Sequence, residues 1–380
     1  MKTKLVIISE TLMDGVGKHI ADLMLNLDKT KYEIHVIHST KRTDVNFIKA
    51  KESLKGQVDF YEIDDFVRKI NITKDIKSYF KIKKMIKQIK PGIVHCHSSK
   101  AGVLGRLVSC RVKVNRCYYT PHGYAAANTN FSNKKRNIYQ LIEKFLAKYF
   151  TTMTINVSCG EKQFALDNKI IDDNKSKVIY NGISKICEIT KFADELKQEI
   201  GLNNEDVIIG YVARIDEGKN PYEFINIAKQ VISKNTNVKF IWIGDGRLKQ
   251  STQQYINHNG LQDKILLLGF KQNVDDYLNI MDIYLTTSLY EGLPYTLVEA
   301  SRASLPIVAS NVIGNNEVVE SEFNGYLYNS QDVDEAVSKL ELLIKNEQLR
   351  KELGDHGYEL FLKDFTIQKM IKAHEEVYTL

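Results

Sequence analysis

The length and composition of this chain limit what it can be. Its 380 residues, 43% of them hydrophobic and 26% charged, are enough for two ordinary domains that each bury a core. The apolar runs have the length of strands and fall short of the roughly 20 residues that a membrane-spanning helix needs. The N-terminal run is also too short for a secretory signal, so we expect a cytoplasmic protein.

The charge is divided unevenly along the chain, although the formal net charge is only +6. Residues 1–190 contain 34 Lys and Arg against 18 Asp and Glu, so the first half carries about +16 and the second about −10. This split predicts a basic N-terminal domain facing an anionic partner: phospholipid head groups, a phosphorylated substrate or nucleic acid. Abundant lysine explains much of the positive charge but not the acidic excess of the second half. Nucleic acid is the least favoured partner, because the sequence contains no nucleic-acid-binding module.

The cysteines do not form a disulfide framework or a zinc motif. They are odd in number and widely spaced, without a Cys-x-x-Cys pair. We expect reduced thiols at all five: Cys96, Cys110, Cys117, Cys159 and Cys187.

Strands alternate with helical lengths through the first half, which predicts a parallel sheet with helices on both faces. The predicted strands include 5–8, 32–38, 58–63 and 93–97. A Lys-rich helix covers 75–90, where the lysines face either water or a membrane surface. Its predicted sheet-facing residues are Ile76, Phe80, Met85, Ile86 and Ile89.

The turns after the first strands contain candidate ligand-binding residues. Gly15, Val16 and Gly17 lie between a strand and a helix, a context that favours an anion, but their spacing matches neither the Walker loop nor the dinucleotide fingerprint. His97 and Lys100 follow the strand at 93–97, at the sheet edge where open α/β sheets bind ligands.

Three further features of this half could either bind a ligand or serve packing. Arg106 lies almost two turns into the next helix and either reaches a phosphate or pairs with a carboxylate. We expect one of His95 and His97 to face the core, and no zinc site, because a third ligand is missing. The cluster at 134–136 precedes an amphipathic helix that suits either a membrane interface or ordinary helix packing. The apolar residues of that helix are Leu141, Ile142, Phe145, Leu146 and Phe150.

His122 stands between Pro121 and Gly123 at the end of another predicted strand. A histidine projected from a strand end can hydrogen-bond a sugar or move a proton. In the second half, Arg214 and Lys219 lie in one strand-to-helix loop. Their two positive charges could converge on a diphosphate, or they could be ordinary charges of an exposed loop.

The stretch around Glu291 and Glu299 organises the second half. A strand at 283–287 ends before a helix that starts near Pro294, so the amides of Tyr295 and Thr296 favour an anion. Carboxylates beside an anion site repel the anion unless they face hydroxyl groups, and this arrangement suggests a sugar nucleotide. The alternative is a helix with two solvated glutamates.

Together these motifs resemble the retaining glycosyltransferases of family 4, capsular and exopolysaccharide type. The resemblance depends on the order and spacing of Gly15-Val-Gly17-Lys-His, Val94-His-Cys-His97, Thr120-Pro-His122-Gly, Arg214 with Lys219-Asn-Pro221, Gly244-Asp-Gly246 and Glu291-x7-Glu299. It implies an α/β protein of GT-B architecture, with two Rossmann-like doubly wound domains facing across a cleft. We expect an acceptor-binding domain at 1–185, a nucleotide-sugar-binding domain at 186–365, and a helix at 366–380 packed back on the first domain.

The resemblance also implies a role for each site residue. Arg214 and Lys219 would bind the donor diphosphate in place of a metal, and Glu291 the donor sugar. Gly15, Val16 and Gly17, with Tyr295, Thr296 and Glu299, would complete the donor site, Glu299 at the ribose. His122 would lie beside the transferred sugar, and we count His122, Arg214, Lys219 and Glu291 as catalytic. The family often has a glycine where this chain has Pro294, and Pro294 lacks an N–H to donate.

The sequence therefore predicts a retaining enzyme that is peripheral to the membrane and needs neither metal nor cofactor. Its donor would be a nucleotide-diphosphate sugar, with UDP-sugars such as UDP-N-acetylhexosamine favoured. Its acceptor would be a polyprenyl-linked saccharide of a capsule or other surface polysaccharide, held by His97, Lys100 and Arg106. Alternatives are a soluble transferase acting on a small acceptor and a sugar-nucleotide-binding protein without activity.

Overall fold

The computed structural model describes residues 2–128 and 131–379, which form two compact units. The first unit contains residues 1–181 and 367–380, and the second contains residues 182–366. The predicted boundary at 185/186 lies four residues beyond this division. Each unit is a parallel sheet with flanking helices, so the predicted class, two Rossmann-like α/β domains, is confirmed.

The first unit has seven parallel strands in the order β3-β2-β1-β4-β5-β6-β7. The strands are β1 (Thr3–Ser9), β2 (Tyr32–Ser39), β3 (Val58–Ile63), β4 (Ile93–His97), β5 (Arg116–Thr120), β6 (Met153–Asn156) and β7 (Ser176–Val178). Its helices up to residue 167 are α1 (Asp14–Asn26), α2 (Val45–Ser53), α3 (Ile72–Ile89), α4 (Ser99–Arg111), α5 (Asn133–Phe150) and α6 (Cys159–Asp167).

The second unit has six parallel strands in the order β10-β9-β8-β11-β12-β13. They are β8 (Val207–Val212), β9 (Val238–Ile243), β10 (Ile265–Gly269), β11 (Ile283–Thr286), β12 (Ile307–Ser310) and β13 (Gly325–Tyr328). The helices are α7 (Ala193–Glu199), α8 (Pro221–Lys234), α9 (Lys249–His258), α10 (Val274–Leu278), α11 (Tyr295–Arg302), α12 (Asn315–Val318), α13 (Val333–Lys345) and α14 (Glu347–Asp364).

The central strand β1 shows why these apolar runs become parallel strands. Leu5 and Ile7 belong to one hydrophobic core, whereas Val6 and Ile8 belong to the core on the opposite face of the sheet. Successive side chains of a strand point to opposite faces, so a strand covered on both sides must be apolar throughout. All four side chains are fully buried.

The last helix, α15 (Ile367–Thr379), packs on the first unit. Met370, Val377 and Tyr378 belong to the same core as β1. The hydroxyl of Tyr118 on β5 donates a 2.8 Å hydrogen bond to the carbonyl oxygen of Val377. The chain therefore returns to its first unit after completing the second.

The predicted apolar stripe of α3 was partly wrong. Ile86 and Ile89 are buried against the sheet, with Met85 packed beside them, but Ile76 and Phe80 are 52% and 61% exposed. At about 100° per residue, positions 76 and 80 lie roughly 120° and 160° around the helix from the middle of its buried face, which contains Ser78, Ile82, Ile86 and Ile89. The face that includes Ile76 and Phe80 is therefore an exposed apolar surface.

Candidate functional site

The candidate donor site lies at the topological switch point of the second unit. The strand order reverses between β8 and β11, which are neighbours in the sheet. Ligands of open α/β sheets bind beyond the carboxyl ends of the strands at such a point. The loop after β8 contains Arg214 and Lys219, and the loop after β11 contains Glu291.

Two hydrogen bonds join these two loops. The amide of Leu289 donates to the carbonyl oxygen of Gly218 at 2.9 Å, and the hydroxyl of Thr287 donates to the carbonyl oxygen of Lys219 at 2.8 Å. Residues 72 positions apart are thereby held together. Sequence patterns did not single out Thr287, which is fully buried and holds the backbone of the other loop through its side-chain hydroxyl.

The ammonium group of Lys219 forms an ion pair with the carboxylate of Glu291. The side chains are 21% and 13% exposed, so the pair is partly shielded from water but reachable. The hydroxyl of Ser288 donates a 2.6 Å hydrogen bond to the same carboxylate oxygen, and the Tyr211 hydroxyl lies 2.7 Å from the Ser288 hydroxyl. Ser288 and Tyr211 are positioning residues that the sequence analysis missed.

Arg214 lies in the same loop as Lys219 with half of its side chain exposed. Its guanidinium forms a 3.2 Å ion pair with Asp216. Gly244 packs against this loop: a Cβ there would lie 1.9 Å from the carbonyl oxygen of Ala213, and its φ is +143°. Only glycine permits this approach, which accounts for the first glycine of the Gly244-Asp-Gly246 motif.

Helix α11 begins at Tyr295, next to Pro294 as the sequence predicted, and Pro294 is its N-cap rather than its first helical residue. Tyr295 and Thr296 occupy its first turn, where backbone amides lie at the positive end of the helix dipole. Glu299 lies one turn further and is half-buried. The structure therefore places an anion-favouring helix terminus directly after the loop that contains Glu291.

In the first unit the strand order reverses between β1 and β4. Gly15, Val16 and Gly17 lie in the first turn of α1 and not in a preceding loop. Gly15 is exposed, whereas Gly17 is buried and a Cβ on it would lie 2.5 Å from the carbonyl carbon of Leu12. Gly17 is thus required by the packing of α1 against its own entry loop, whatever binds there.

A group of histidines lies beside this second switch point. His97, at the end of β4, is fully buried, and its Nδ1 lies 3.0 Å from Nε2 of the half-buried His122. His19 on α1 packs against both, with ring centroids 5.5 Å from His97 and 4.8 Å from His122. His19 was not among the predicted site residues, although its place on the buried face of α1 could have indicated it.

The expectation that only one of His95 and His97 faces the core was wrong. Both are fully buried and their ring centroids are 4.0 Å apart, because residues two apart on a strand point to the same face. His95 lies 2.7 Å from the Tyr378 hydroxyl and 2.9 Å from the Thr120 hydroxyl. The terminal helix α15 therefore contacts this histidine group directly.

Burial keeps these imidazoles neutral at pH 7. Desolvation, reinforced by the neighbouring imidazoles, lowers the pKa of His19, His95 and His97 well below the ordinary value. The same cause lowers the pKa of His122 to about 3 and that of His374 on α15 to about 4. A group with so low a pKa is a weak base, so His122 acts at neutral pH as a hydrogen-bonding group rather than a cation.

Arg106, predicted to bind the acceptor, has a structural role instead. Its side chain is 0% exposed, forms a 2.6 Å ion pair with Glu143 on α5, and places its guanidinium 3.8 Å from the ring centroid of Tyr119. A guanidinium enclosed in this way cannot reach a ligand, since leaving would strand a buried carboxylate. The alternative of a carboxylate partner was the correct interpretation.

Lys100 is held in place by acceptors from its own unit. Its ammonium lies 2.6 Å from a carboxylate oxygen of Asp75 and 2.6 Å from the carbonyl oxygen of Lys69, and its side chain is 12% exposed. Nearby, Glu10 after β1 is 5% exposed and accepts hydrogen bonds from Ser98 and Arg42. Sequence reasoning missed Glu10, a buried carboxylate at the switch point.

Within residues 2–128 and 131–379, no helix is both long enough and apolar enough to cross a membrane.

Comparison with known proteins identifies the family. The model described as "Glycosyltransferase Family 4" matches residues 13–185, and "Glycosyl transferases group 1" matches residues 192–360. The chain is 31% identical over 350 residues to the UDP-Gal:alpha-D-GlcNAc-diphosphoundecaprenol alpha-1,3-galactosyltransferase of Escherichia coli, covering 88% of each protein. It is 25% identical to the capsular polysaccharide biosynthesis glycosyltransferase CapM of Staphylococcus aureus, covering 93% of this chain and 91% of CapM.

Among solved structures, HepE of Anabaena in complex with UDP and glucose has the same fold, with a TM-score of 0.82 at 18% identity over 99% of both chains. One family model matches each half of the chain, and each unit has a strand-order reversal of the kind at which open α/β sheets bind ligands. The chain belongs to the family-4 glycosyltransferases and has the two Rossmann-like domains of the GT-B fold.

Proposed function

We propose that this protein is a retaining glycosyltransferase that moves a sugar from a UDP-sugar to a polyprenyl-diphosphate-linked saccharide during surface polysaccharide synthesis. The observation that carries the proposal is the switch point of the second unit, where Arg214, Lys219 and Glu291 lie in two hydrogen-bonded loops. The identity to a galactosyltransferase whose name specifies a UDP-linked donor and a diphosphoundecaprenol acceptor supports the substrate classes.

The cations of the second unit suit a diphosphate leaving group. As the bond between the anomeric carbon and the phosphate oxygen breaks, negative charge develops on the diphosphate. Arg214 and Lys219 would stabilise that charge, which removes the need for a divalent ion. The first-turn amides of α11 add a fixed positive dipole, and Glu299 would accept hydrogen bonds from the ribose.

Glu291 would have two partners in turn. Without substrate it pairs with Lys219 and accepts from Ser288. When the diphosphate binds Lys219, the carboxylate can accept hydrogen bonds from donor hydroxyls, which suits sugar recognition. His122, neutral at pH 7, would hydrogen-bond the transferred sugar, and the departing phosphate oxygen would take the acceptor proton on the same face.

An exposed apolar and basic surface of the first unit supports association with an anionic membrane. On α5, Ile138, Leu141, Ile142, Phe145 and Tyr149 are 39–66% exposed, and four exposed lysines share the helix. On α3, Ile72, Ile76 and Phe80 are 52–76% exposed beside more lysines. Both helices pack against α4, so the two stripes lie on one side of the sheet.

Amphipathic helices with apolar residues flanked by lysine bind at the interface of anionic bilayers. A polyprenyl-linked acceptor is itself embedded in the membrane, so docking by the first unit would bring the enzyme to its substrate. The excess positive charge of the first half of the chain has the sign that such docking requires.

A nucleotide panel followed by a transfer assay tests the function. UDP, GDP and ADP are compared by thermal shift, because a ligand that binds only the folded state raises the melting temperature. We expect stabilisation by UDP that is lost in Arg214→Ala and Lys219→Ala and kept in Lys229→Ala, a control at an exposed lysine of α8. Stabilisation by GDP or ADP alone would reassign the donor, and no response to any nucleotide would contradict the proposal.

The transfer assay uses UDP-sugars, chelator-treated protein and two acceptors, a short-chain polyprenyl-diphosphate GlcNAc and a water-soluble GlcNAc glycoside. We expect product from the lipid-linked acceptor, with an α-anomeric bond by NMR when the donor is α-linked. Equal turnover of the soluble acceptor would favour the small-acceptor alternative. A β-linked product would refute retention, and loss of activity with chelator would refute metal independence.

A further inference from the structure

The sequence around His95 and His97 lacks a third zinc ligand on the same face of the strand, yet the fold of the first unit assembles three histidines from separate elements. His19 comes from α1, His97 from the end of β4 and His122 from the turn after β5. One ligand nitrogen from each of the three lies within 4.8 Å of the other two. We infer that His19, His97 and His122 form a binding site for a borderline transition-metal dication, with Zn²⁺ as its ligand.

The separation of the rings matches tetrahedral coordination. With metal–nitrogen bonds of about 2.1 Å at tetrahedral angles, the centroids of three ligating imidazoles lie about 5 Å apart. The measured centroid separations are 4.8 Å for His19 and His122, 5.3 Å for His97 and His122, and 5.5 Å for His19 and His97. The ring separations therefore fit one shared ion, and ligand nitrogens up to 4.8 Å apart would have to close to about 3.4 Å when it binds.

The nitrogen positions agree with the rings. Ligand nitrogens of a tetrahedral zinc site are about 3.4 Å apart, and Nδ1 of His97 lies 3.0 Å from Nε2 of His122. An ion between these two nitrogens needs a lone pair from each, so the ring that carries the hydrogen of this contact must move it to its other nitrogen. For His97 that other nitrogen is Nε2, which has no hydrogen-bond partner among the described residues, so the shift gives up only the His97–His122 hydrogen bond.

Asn181 prepares the third ligand. Its side-chain oxygen lies 3.0 Å from Nδ1 of His19, and a carboxamide oxygen only accepts, so Nδ1 carries the hydrogen. The lone pair of His19 is therefore on Nε2. An outer partner that fixes the tautomer of a ligating histidine in this way is a regular feature of metal sites.

The chemical environment selects the metal class. Three imidazoles without a carboxylate suit zinc and neighbouring transition metals, not magnesium or calcium, and leave a fourth position for water. Burial keeps all three rings neutral at pH 7, so an ion does not have to displace protons from imidazolium. His95 is outside the set, because both its ring nitrogens already lie within hydrogen-bond distance of Tyr378 and Thr120.

Occupancy would also affect transfer, a consequence that depends on the proposed function. The ion takes the one lone pair of neutral His122, so His122 could still donate a hydrogen bond to the donor sugar but could no longer accept one. Zinc would then inhibit the enzyme while stabilising its fold. The binding itself does not depend on this consequence, so the two are measured separately.

The binding test titrates chelator-treated full-length protein with Co²⁺, a spectroscopic substitute for Zn²⁺ whose four-coordinate complexes absorb strongly in the visible. We expect a saturable 1:1 signal that Zn²⁺ abolishes by displacement. His122→Asn and His19→Asn should each weaken Co²⁺ binding by at least about 100-fold, and Asn181→Ala by about 10- to 100-fold. His122→Asn is the primary variant, because its side chain is half-buried and its loss disturbs folding least.

The matched control is His35→Asn in the same unit. His35 belongs to a second group of possible ligands, with Glu33 and Asp59 at an exposed part of the sheet, and its removal should leave the Co²⁺ signal unchanged. Loss of the signal in His35→Asn, its persistence in folded His122→Asn, or a weak six-coordinate spectrum in the wild type would overturn the inference. Melting curves without metal identify any variant that fails to fold.

Inhibition of sugar transfer by zinc is measured separately from Co²⁺ binding. If zinc no longer inhibited the His35→Asn variant, the inhibitory ion would bind at His35 and not at His122, and the inference would be contradicted. If the protein shows no transfer with any UDP-sugar, the proposed function fails while the Co²⁺ result still decides the metal site.

Discussion

The ammonium of Lys219 and the carboxylate of Glu291 form an ion pair across two loops whose residues are 72 positions apart. The loops follow β8 and β11, which are adjacent only because the strand order of the second unit reverses between them. The pair therefore joins two charges that the proposed reaction uses for different parts of one donor. Substituting Lys219 and Glu291 one at a time tests whether the first binds the diphosphate and the second the sugar.

We expect Lys219→Ala and Glu291→Gln to fail in different ways. Lys219→Ala removes a positive charge from the diphosphate position, so UDP should bind at least about 10-fold more weakly. Glu291→Gln keeps the shape and can still accept from Ser288, so UDP affinity should change little while turnover falls by roughly 100-fold. Calorimetric titration with UDP and the transfer assay measure the two effects, and equal losses of UDP affinity would contradict the assignment.

The buried pair of Arg106 and Glu143 should matter for stability and not for the acceptor. Arg106→Met leaves the Glu143 carboxylate buried without its partner, which should lower the free energy of unfolding by about 3–5 kcal/mol. The double variant Arg106→Met, Glu143→Leu removes both charges and should recover most of that loss. Urea unfolding measures the change. A stable Arg106→Met protein with a raised acceptor KM would instead restore the acceptor-binding role.

Vesicle sedimentation tests the exposed stripe of α5. Leu141→Asp removes an apolar side chain from the proposed interface and adds a negative charge, so partitioning onto anionic vesicles should fall by at least about 10-fold. Leu342→Asp is the matched control, since Leu342 is an exposed leucine of α13 in the second unit. Binding of the wild type should weaken as salt rises. Equal effects of the two substitutions, or no binding of the wild type at low salt, would refute docking through α5.

His38 on β2 should make stability depend on pH. Desolvation lowers its pKa in the folded protein below 6.5, so the unfolded chain binds a proton more readily than the folded one. The contribution of neutral His38 is complete above about pH 6.5 and is lost as pH falls towards the lowered pKa, at up to about 1.4 kcal/mol per pH unit.

The variant His38→Asn removes this titration while its amide can still donate to the carbonyl oxygen of Ser39, as His38 Nδ1 does at 2.9 Å. Its free energy of unfolding should fall less steeply than that of the wild type below pH 6.5. Urea unfolding between pH 4.5 and 7.5 measures both slopes. Parallel curves for the two proteins would show that His38 is not the titrating group.

Much of the fold could be predicted because strands, helices and their ends depend on local sequence patterns. The alternation of apolar strands with helices predicted a parallel sheet covered by helices in the first half, the resemblance to family 4 implied the same architecture in the second half, and Pro294 marked the start of α11. The resemblance to family 4 implied that Lys219 and Glu291 act in one donor site. The roles of these residues in donor binding stay predictions, as do those of His122 and Glu299.

Side-chain partners were predicted less well. Arg106 was a candidate for ligand binding because its sequence position does not reveal Glu143, 37 residues away on a neighbouring helix. In α3 the apolar residues lie on two sides of the helix, and periodicity alone did not show that Ile76 and Phe80 face outward. The same limitation concealed His19, whose partners come from β4 and the turn after β5.

The sequence by itself determined the periodicity of the strands and helices and the turns that end them, because these depend on residues close together in the chain. It also indicated the family, because the order and spacing of the motifs do not depend on which of them meet in space. Only the tertiary structure decided which distant side chains meet. Strand order placed β8 beside β11 and β1 beside β4, and it thereby paired Lys219 with Glu291 and gathered His19 with His97. Such contacts depend on how the sheet is assembled, a property that no short stretch of sequence contains.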